Sequence, residues 1–149
     1  MICCLFGHKD TPSSIYPELE AKIRYVIEHE AVDCFLIGNN GAFDSIALSI
    51  LRNVVHEYTE VSYHVVLAYL PTVYKPDWPY SATETLYPEG LESVHPKYAI
   101  AWRNNWMVEA ADIVICNITH DWGGAARYVA VARKKKKRII NIASLMIGE

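Results

Sequence analysis

The sequence predicts an α/β fold of the Rossmann-like kind, with three α/β/α layers around a mostly parallel sheet of about five strands. Three observations support this prediction. Short apolar runs alternate with amphipathic helical patterns, the runs are apolar at consecutive positions as in strands buried on both faces, and several of them end at turns that lead straight into helices. With 149 residues, of which 52% are hydrophobic, the chain has the size of one domain, residues 1–149.

The first strand is predicted over residues 2–6, an apolar segment that stops at Gly7. Ser13 or Ser14 in the following polar loop is a candidate helix N-cap. A helix is then indicated by apolar residues at helical spacing, namely Ile15, Leu19, Ile23, Val26 and Ile27.

The second unit repeats this order. A strand over residues 34–37 runs into the stretch Gly38-Asn39-Asn40-Gly41. The helix that follows has one apolar face, formed by Phe43, Ile46, Ala47, Ile50, Leu51, Val54 and Val55.

A third strand is predicted over residues 62–70, and Pro71 closes it because proline cannot donate to a central ladder. Residues 71–97 then lose any regular period and are rich in proline and tyrosine. Connections of this length are usually functional or disordered, and the aromatic residues argue against disorder. We therefore predict an ordered loop over the ligand-binding edge of the sheet.

The remaining elements are predicted as a helix over residues 98–111, a strand over 112–118, a helix over 123–135 and a strand over 138–142. The lysine run 134–137 lies where that last helix ends, and cations there complement the helix dipole.

Composition narrows the expected partners. The formal net charge of −3 gives no general attraction to nucleic acid or to an anionic membrane, so we expect neither as a partner. No apolar run approaches the roughly 20 residues of a membrane span, and the start lacks secretory features, so we expect a cytoplasmic protein. The cysteines and histidines do not have the spacing of zinc ligands, and we predict no metal and no cofactor. We expect the four cysteines to be reduced and buried in strands: Cys3, Cys4, Cys34 and Cys116.

The glycine-rich turns are candidate ligand sites, because ligands of open parallel sheets bind where strand ends lead into helix N-termini. Glycines at 38 and 41 permit the backbone to approach a ligand closely, and the asparagines between them offer amide hydrogen bonds. A plain strand-to-helix turn explains the same residues equally well. A second pair, Gly123 and Gly124, follows the fourth strand in an equivalent place. Neither turn is a strict GxGxxG and no GxxxxGK[ST] occurs, which disfavours hydride transfer and ATP hydrolysis.

Polar residues expected at the same edge complete the candidate site. Arg103 and Arg127 are phosphate partners or surface ion pairs, and His8 and His120 are acid–base groups or plain polar contacts. The predicted ligand-binding residues are Gly7, His8, Gly38, Asn39, Asn40, Gly41, Asp44, Arg103, Asn104, Thr119, His120, Gly123, Gly124 and Arg127.

These motifs, in this order, resemble the SLOG superfamily. The matching stretches are FGHK after the first strand, GNNGAFD after the second, RNNWMVEAADIVI, and GGAARYVAVARKKKKRIINI. That superfamily comprises Rossmann-like nucleotide-binding proteins, including LOG phosphoribohydrolases, DprA/Smf DNA-processing proteins and small YpsA-like proteins, and the last are the most similar. The resemblance covers the chain outside the proline/tyrosine loop, and it implies a nucleotide or nucleotide-derived ligand at the two glycine turns.

The resemblance leaves two functions open. LOG enzymes carry PGGxGTxxE, whereas this chain reads WGGAARYV, without the threonine or the glutamate that serves glycosidic cleavage. We therefore expect a ligand-binding module, a sensor or sequestering protein. The alternative is an enzyme that cleaves or transfers a nucleoside N-glycosidic bond through Asp44, Glu84 or Asp121, or through Glu89 or Glu92 of the loop. We also expect a homo-oligomer, in which Trp102, Trp106 and Met107 are contact or core residues.

Overall fold

A sheet of six parallel strands forms the middle layer of the computed structural model, which describes residues 1–70 and 78–143. The strands are β1 (Ile2–Gly7), β2 (Cys34–Ile37), β3 (Ser62–Val66), β4 (Thr85–Leu86), β5 (Ile113–Asn117) and β6 (Arg138–Asn141). Across the sheet they lie in the order β4-β3-β2-β1-β5-β6. The helices of the outer layers are α1 (Tyr16–His29), α2 (Ala42–Val54), α3 (Ala99–Ala110) and α4 (Gly124–Lys134).

The two faces of β1 bury alternate side chains into different cores. Cys3 and Leu5 pack with the apolar faces of α1 and α2, whereas Cys4 and Phe6 pack with α3 and α4. Because successive strand residues point to opposite faces, a strand covered on both sides must be apolar at every position. This arrangement confirms the predicted Rossmann-like α/β fold.

The sheet has six strands in place of five. The added strand β4 lies within the segment predicted as a loop and pairs in parallel with the end of β3. At two residues it is too short to show a hydrophobic period, so the sequence pattern could not reveal it. The first part of the predicted loop, residues 71–77, lies outside the described residues.

Two local predictions were wrong. Strand β3 ends at Val66, four residues early, and the apolar residues Tyr69 and Leu70 beyond it are about half exposed, at 49% and 56%. At the start of α1 no serine caps the helix: Ser13 and Ser14 belong to a short 3-10 turn, and a proline stands in the first turn of the helix instead.

All four cysteines lie in strands as free thiols; Cys3, Cys4 and Cys116 are buried as predicted, whereas Cys34 is only half-buried. Burial raises the pKa of the Cys4 and Cys116 thiols, the latter to about 12, so these groups are inert at neutral pH. Across the part of the chain that the structure describes, no helix is long and apolar enough to cross a membrane.

Glu84 anchors the segment that carries β4. Its carboxylate accepts two hydrogen bonds from the Arg52 guanidinium, at 2.7 and 2.9 Å, one from the Tyr63 hydroxyl and one from the Ser81 N–H at 2.9 Å. The side chain is only 11% exposed, and these partners, Arg52 first, lower its pKa to about 2.

We predict that Glu84→Gln lowers the free energy of unfolding at pH 7 by about 1–3 kcal/mol, because the mostly buried Glu84 side chain loses its charge-assisted hydrogen bonds with Arg52. Folding lowers the pKa of Glu84 from 4.5 to about 2. The ionised carboxylate therefore stabilises the folded protein in full above pH 4.5, and this contribution is lost as pH falls toward 2. Urea denaturation should therefore show a difference between wild type and variant that shrinks between pH 5 and pH 3. The exposed Glu89→Gln is the control, and equal stability of the two variants at pH 7 would contradict this anchor.

Candidate functional site

A cavity of about 630 Å³ opens at the carboxyl end of β1 and β5. These neighbouring strands are the place where the order of the sheet reverses, since the chain leaves β1 toward β2 on one side and later enters β5 on the other. The loops after the two strands therefore diverge, and parallel α/β sheets bind ligands in the crevice between such loops. The loop after β1, the start of α2, the first half of α3 and the turn before α4 line the cavity.

The cavity carries more positive than negative charge. Among the described residues, four cationic side chains and two carboxylates line it, an excess of two positive charges with histidine neutral, in a chain of formal net charge −3: Lys9, Lys97, Arg103, Arg127, Asp10 and Asp44. A local field of this sign favours an anionic ligand.

The N-terminus of α4 is open toward this cavity. Gly123 is its N-cap residue, with a φ of 94°. Within residues 1–70 and 78–143 no side chain caps the helix, and its first turn contains no acidic residue. The first intrahelical bond runs from the Arg127 N–H to the Gly123 carbonyl, so the N–H groups of residues 124–126 have no acceptor among the described residues. A Cβ added at Gly124 would meet nothing within 4 Å, which shows how much room lies beside these donors.

The N-terminus of α2 differs, because the protein's own acceptors bond two N–H groups there. The Asp44 carboxylate accepts the Asn40 N–H at 2.9 Å, and the Ala42 N–H donates to the Lys9 carbonyl at 2.8 Å. At Gly41, φ is 113° and an added Cβ would lie 2.7 Å from Lys9 Cα, so this glycine is required for contact between the two loops. The two glycine turns are thus not equivalent as anion sites.

Arg103 lies beneath the cavity with a side chain that is almost fully buried, at 2% exposure. Its Nη1 donates to the Val66 carbonyl at 2.7 Å and to Asn39 Oδ1 at 3.1 Å, and its Nε donates to Asn104 Oδ1 at 2.8 Å. Nη2 has no acceptor among the described residues. Arg103 also lines the cavity, so its guanidinium borders the space where a ligand would bind.

Asp44 is the carboxylate that lies beside this guanidinium. An added Cβ at Gly38 would be 3.0 Å from Asp44 Oδ2 and 3.4 Å from Arg103 Cζ, so the absence of a side chain at Gly38 lets both groups approach the strand end. Burial raises the pKa of Asp44 to about 6, although the Asn40 N–H and the Arg103 charge act in the opposite direction.

Three aromatic rings stack at the opposite wall. The His8 and His120 rings are 3.7 Å apart at 18°, and the His120 and Trp122 rings are 3.6 Å apart at 15°. His8 Nε2 accepts the Thr119 N–H at 3.2 Å, so it carries no proton, and His120 Nδ1 lies 2.9 Å from the Trp122 carbonyl, to which it must donate. Burial and the neighbouring His120 lower the pKa of His8, which keeps that ring neutral.

Most of the predicted ligand-binding residues line the cavity, namely Gly7, His8, Asn40, Asp44, Arg103, Asn104, His120, Gly123, Gly124 and Arg127. The other four each lie against one of the lining residues: Gly38 against Asp44, Asn39 against Arg103, Gly41 against Lys9 and Thr119 against His8.

The candidate catalytic carboxylates do not come together. Only Asp44 lines the cavity, whereas Glu84 is held by Arg52 at the far end of α2 and Asp121 is exposed outside the lining. Glu89 and Glu92 are also exposed and outside it.

Sequence reasoning missed several lining residues, including Lys9, Asp10, Lys97 and Trp122. Lys9 and Asp10 directly follow His8, and Trp122 lies between His120 and the glycine pair, so their positions next to predicted residues were a usable signal. Across residues 1–70 and 78–143, no group of three or more His, Cys, Asp or Glu side chains could hold a metal ion.

Comparison with models of known protein families finds no match to this chain, and no curated protein matches it significantly. The resemblance to the SLOG superfamily therefore stays a prediction from the sequence motifs.

We predict that Asp44→Asn raises the free energy of unfolding at pH 7.5 by about 1–2 kcal/mol. The pKa of Asp44 is raised from 3.8 to about 6, so the folded protein holds this proton more tightly than the unfolded chain, and the resulting stabilisation is lost as pH rises through about 6. The advantage of the variant should grow between pH 4 and pH 6 and then level off in urea denaturation. Asp121→Asn is the exposed control; if its pH profile matched that of Asp44→Asn, the raised pKa would be disproved.

Proposed function

We propose that this protein binds a small phosphorylated molecule of the nucleotide type, with a phosphate at the N-terminus of α4. The main support for this proposal is that the first turn of that helix is open and borders a cavity with excess positive charge. Free N–H groups and the helix dipole favour an anion at such a terminus. Arg127 lines the same corner and offers a planar pair of donors for a phosphate.

Arg103 supports a ligand with a second acceptor group. Burying a guanidinium is costly unless its donors are satisfied, and here Nη2 has no acceptor in the described part of the protein. A ribose hydroxyl or a further phosphate oxygen would complete its hydrogen bonding. A nucleotide or nucleotide-derived ligand offers both kinds of acceptor, in agreement with the motif resemblance.

A binding role, as sensor or sequestering module, accounts for this arrangement without a catalytic step. Asp44 is the single observation that favours the alternative, an N-glycosidic hydrolase or transferase acting on a nucleoside monophosphate. A carboxyl group with a pKa of about 6 in a ligand cavity is partly protonated near neutral pH, so it suits a general acid that protonates a departing base.

Self-association and a cytoplasmic location remain expectations that accompany this proposal. Met107 is buried in the core between the sheet and its helices, so it is not an interface residue. Trp102 and Trp106 on α3 are half-buried and remain candidate contacts between copies, which light scattering would test.

We predict that Gly124→Asp weakens ligand binding strongly while the fold stays intact. An aspartate in the first turn of α4 complements the helix dipole and has room, so thermal stability should be equal or slightly higher. Its carboxylate would occupy the place proposed for the phosphate, and the affinity for AMP or ADP in calorimetric titration should fall at least tenfold. Ala130→Asp, exposed on the same helix, is the charge-matched control and should bind like wild type.

Two results would refute this binding proposal. One is a Gly124→Asp variant that binds like wild type. The other is a wild-type protein that binds none of AMP, ADP, ADP-ribose and inorganic phosphate.

A binding module should return its ligand unchanged. We therefore predict that AMP, GMP, CMP and UMP incubated with the protein are recovered intact by liquid chromatography, with no free base. Release of a base that is lost in Asp44→Asn but kept in Asp121→Asn would instead establish the N-glycosidic alternative.

A further inference from the structure

We propose that the outer face of Trp122 is the stacking surface for the heterocyclic base of the ligand, so the protein recognises a nucleotide and not merely a sugar phosphate. This inference rests on the proposed function and specifies it. Trp122 is 67% exposed although one face of its ring lies against His120 at 3.6 Å. The opposite face is therefore the one available to a planar ring at the cavity.

The position of Trp122 is fixed by contacts beneath it. Its ring is the outermost of three nearly parallel rings, and the innermost, His8, is only 8% exposed. The His120 Nδ1–H bond to the Trp122 carbonyl holds the loop from within, and the Thr119 N–H bond to His8 joins the loop to the residue that follows β1. A surface that is already ordered loses little entropy when a ring stacks on it.

The aromatic residues described in the predicted loop do not compete for this role. Trp78, Tyr80 and Tyr87 pack against the core on the α1/α2 side of the sheet and do not line the cavity. Trp122, in contrast, directly precedes Gly123 and the open helix terminus. One mononucleotide can therefore place its base on the ring and its phosphate on the N–H groups beside it.

The test compares AMP with ribose 5-phosphate in calorimetric titrations of wild type, Trp122→Ala and Trp122→Phe. Wild type should bind AMP roughly 5- to 150-fold more tightly than ribose 5-phosphate, the range that one base–aromatic stack supplies. Trp122→Ala should lose this preference while its affinity for ribose 5-phosphate stays within about twofold of wild type. Trp122→Phe should retain part of the preference. Tyr98→Ala is the control, because Tyr98 is 58% exposed and does not line the cavity.

The possible failures are distinguishable. A preference for AMP that survives in Trp122→Ala, or affinities for AMP and ribose 5-phosphate that fall equally in that variant, overturns the stacking surface and leaves the phosphate site standing. Equal affinity of the two ligands in wild type does the same. Binding of neither ligand to wild type overturns both the stacking surface and the proposed function.

Discussion

The central position of β1 determines where the cavity forms, because β1 pairs in parallel with β2 on one side and with β5 on the other. Because the chain leaves β1 in one direction and returns beside it from the other, the loops after β1 and β5 separate and leave a crevice between them. Gly7 ends β1 directly beneath α2: an added Cβ there would lie 2.1 Å from Phe43 Cγ. That close packing brings the start of α2 against the loop after β1, and the bond from Ala42 to Lys9 follows from it.

The two helix termini at this edge differ in their first turns. The first turn of α2 contains Asp44, which accepts the Asn40 N–H and complements the helix dipole. The first turn of α4 contains no acidic residue, and the N–H groups of residues 124–126 have no acceptor among the described residues. Arg103 lies between the two helix termini and is a buried cation. The half-buried Asp44 balances its charge only in part, so the electrostatic potential in the cavity stays positive.

Much of this fold could be predicted from the sequence because its signals are local. Apolar runs gave the strands β1, β2 and β5 to within about one residue, and helical spacing gave α1 and α2. The strand β4 could not be predicted, since two residues show no hydrophobic period, and the Glu84–Arg52 bonds that anchor its segment join residues distant in sequence. The site residues were found by topology, which places strand ends together. Sequence could not show that Asp44 occupies its own helix terminus, or that Trp122 stacks on His120, since both depend on side-chain orientation.

The central claim is that the N–H groups at the start of α4 receive the anionic group of a ligand. The most direct measurement is an amide ¹H–¹⁵N NMR titration of the ¹⁵N-labelled protein with AMP and, separately, with inorganic phosphate. We expect the amide resonances of Gly124, Ala125 and Ala126 to shift most with either ligand, while that of Asn40, already bonded to Asp44, shifts far less. Shifts that leave residues 124–126 unmoved, or that concentrate at the start of α2, would contradict it.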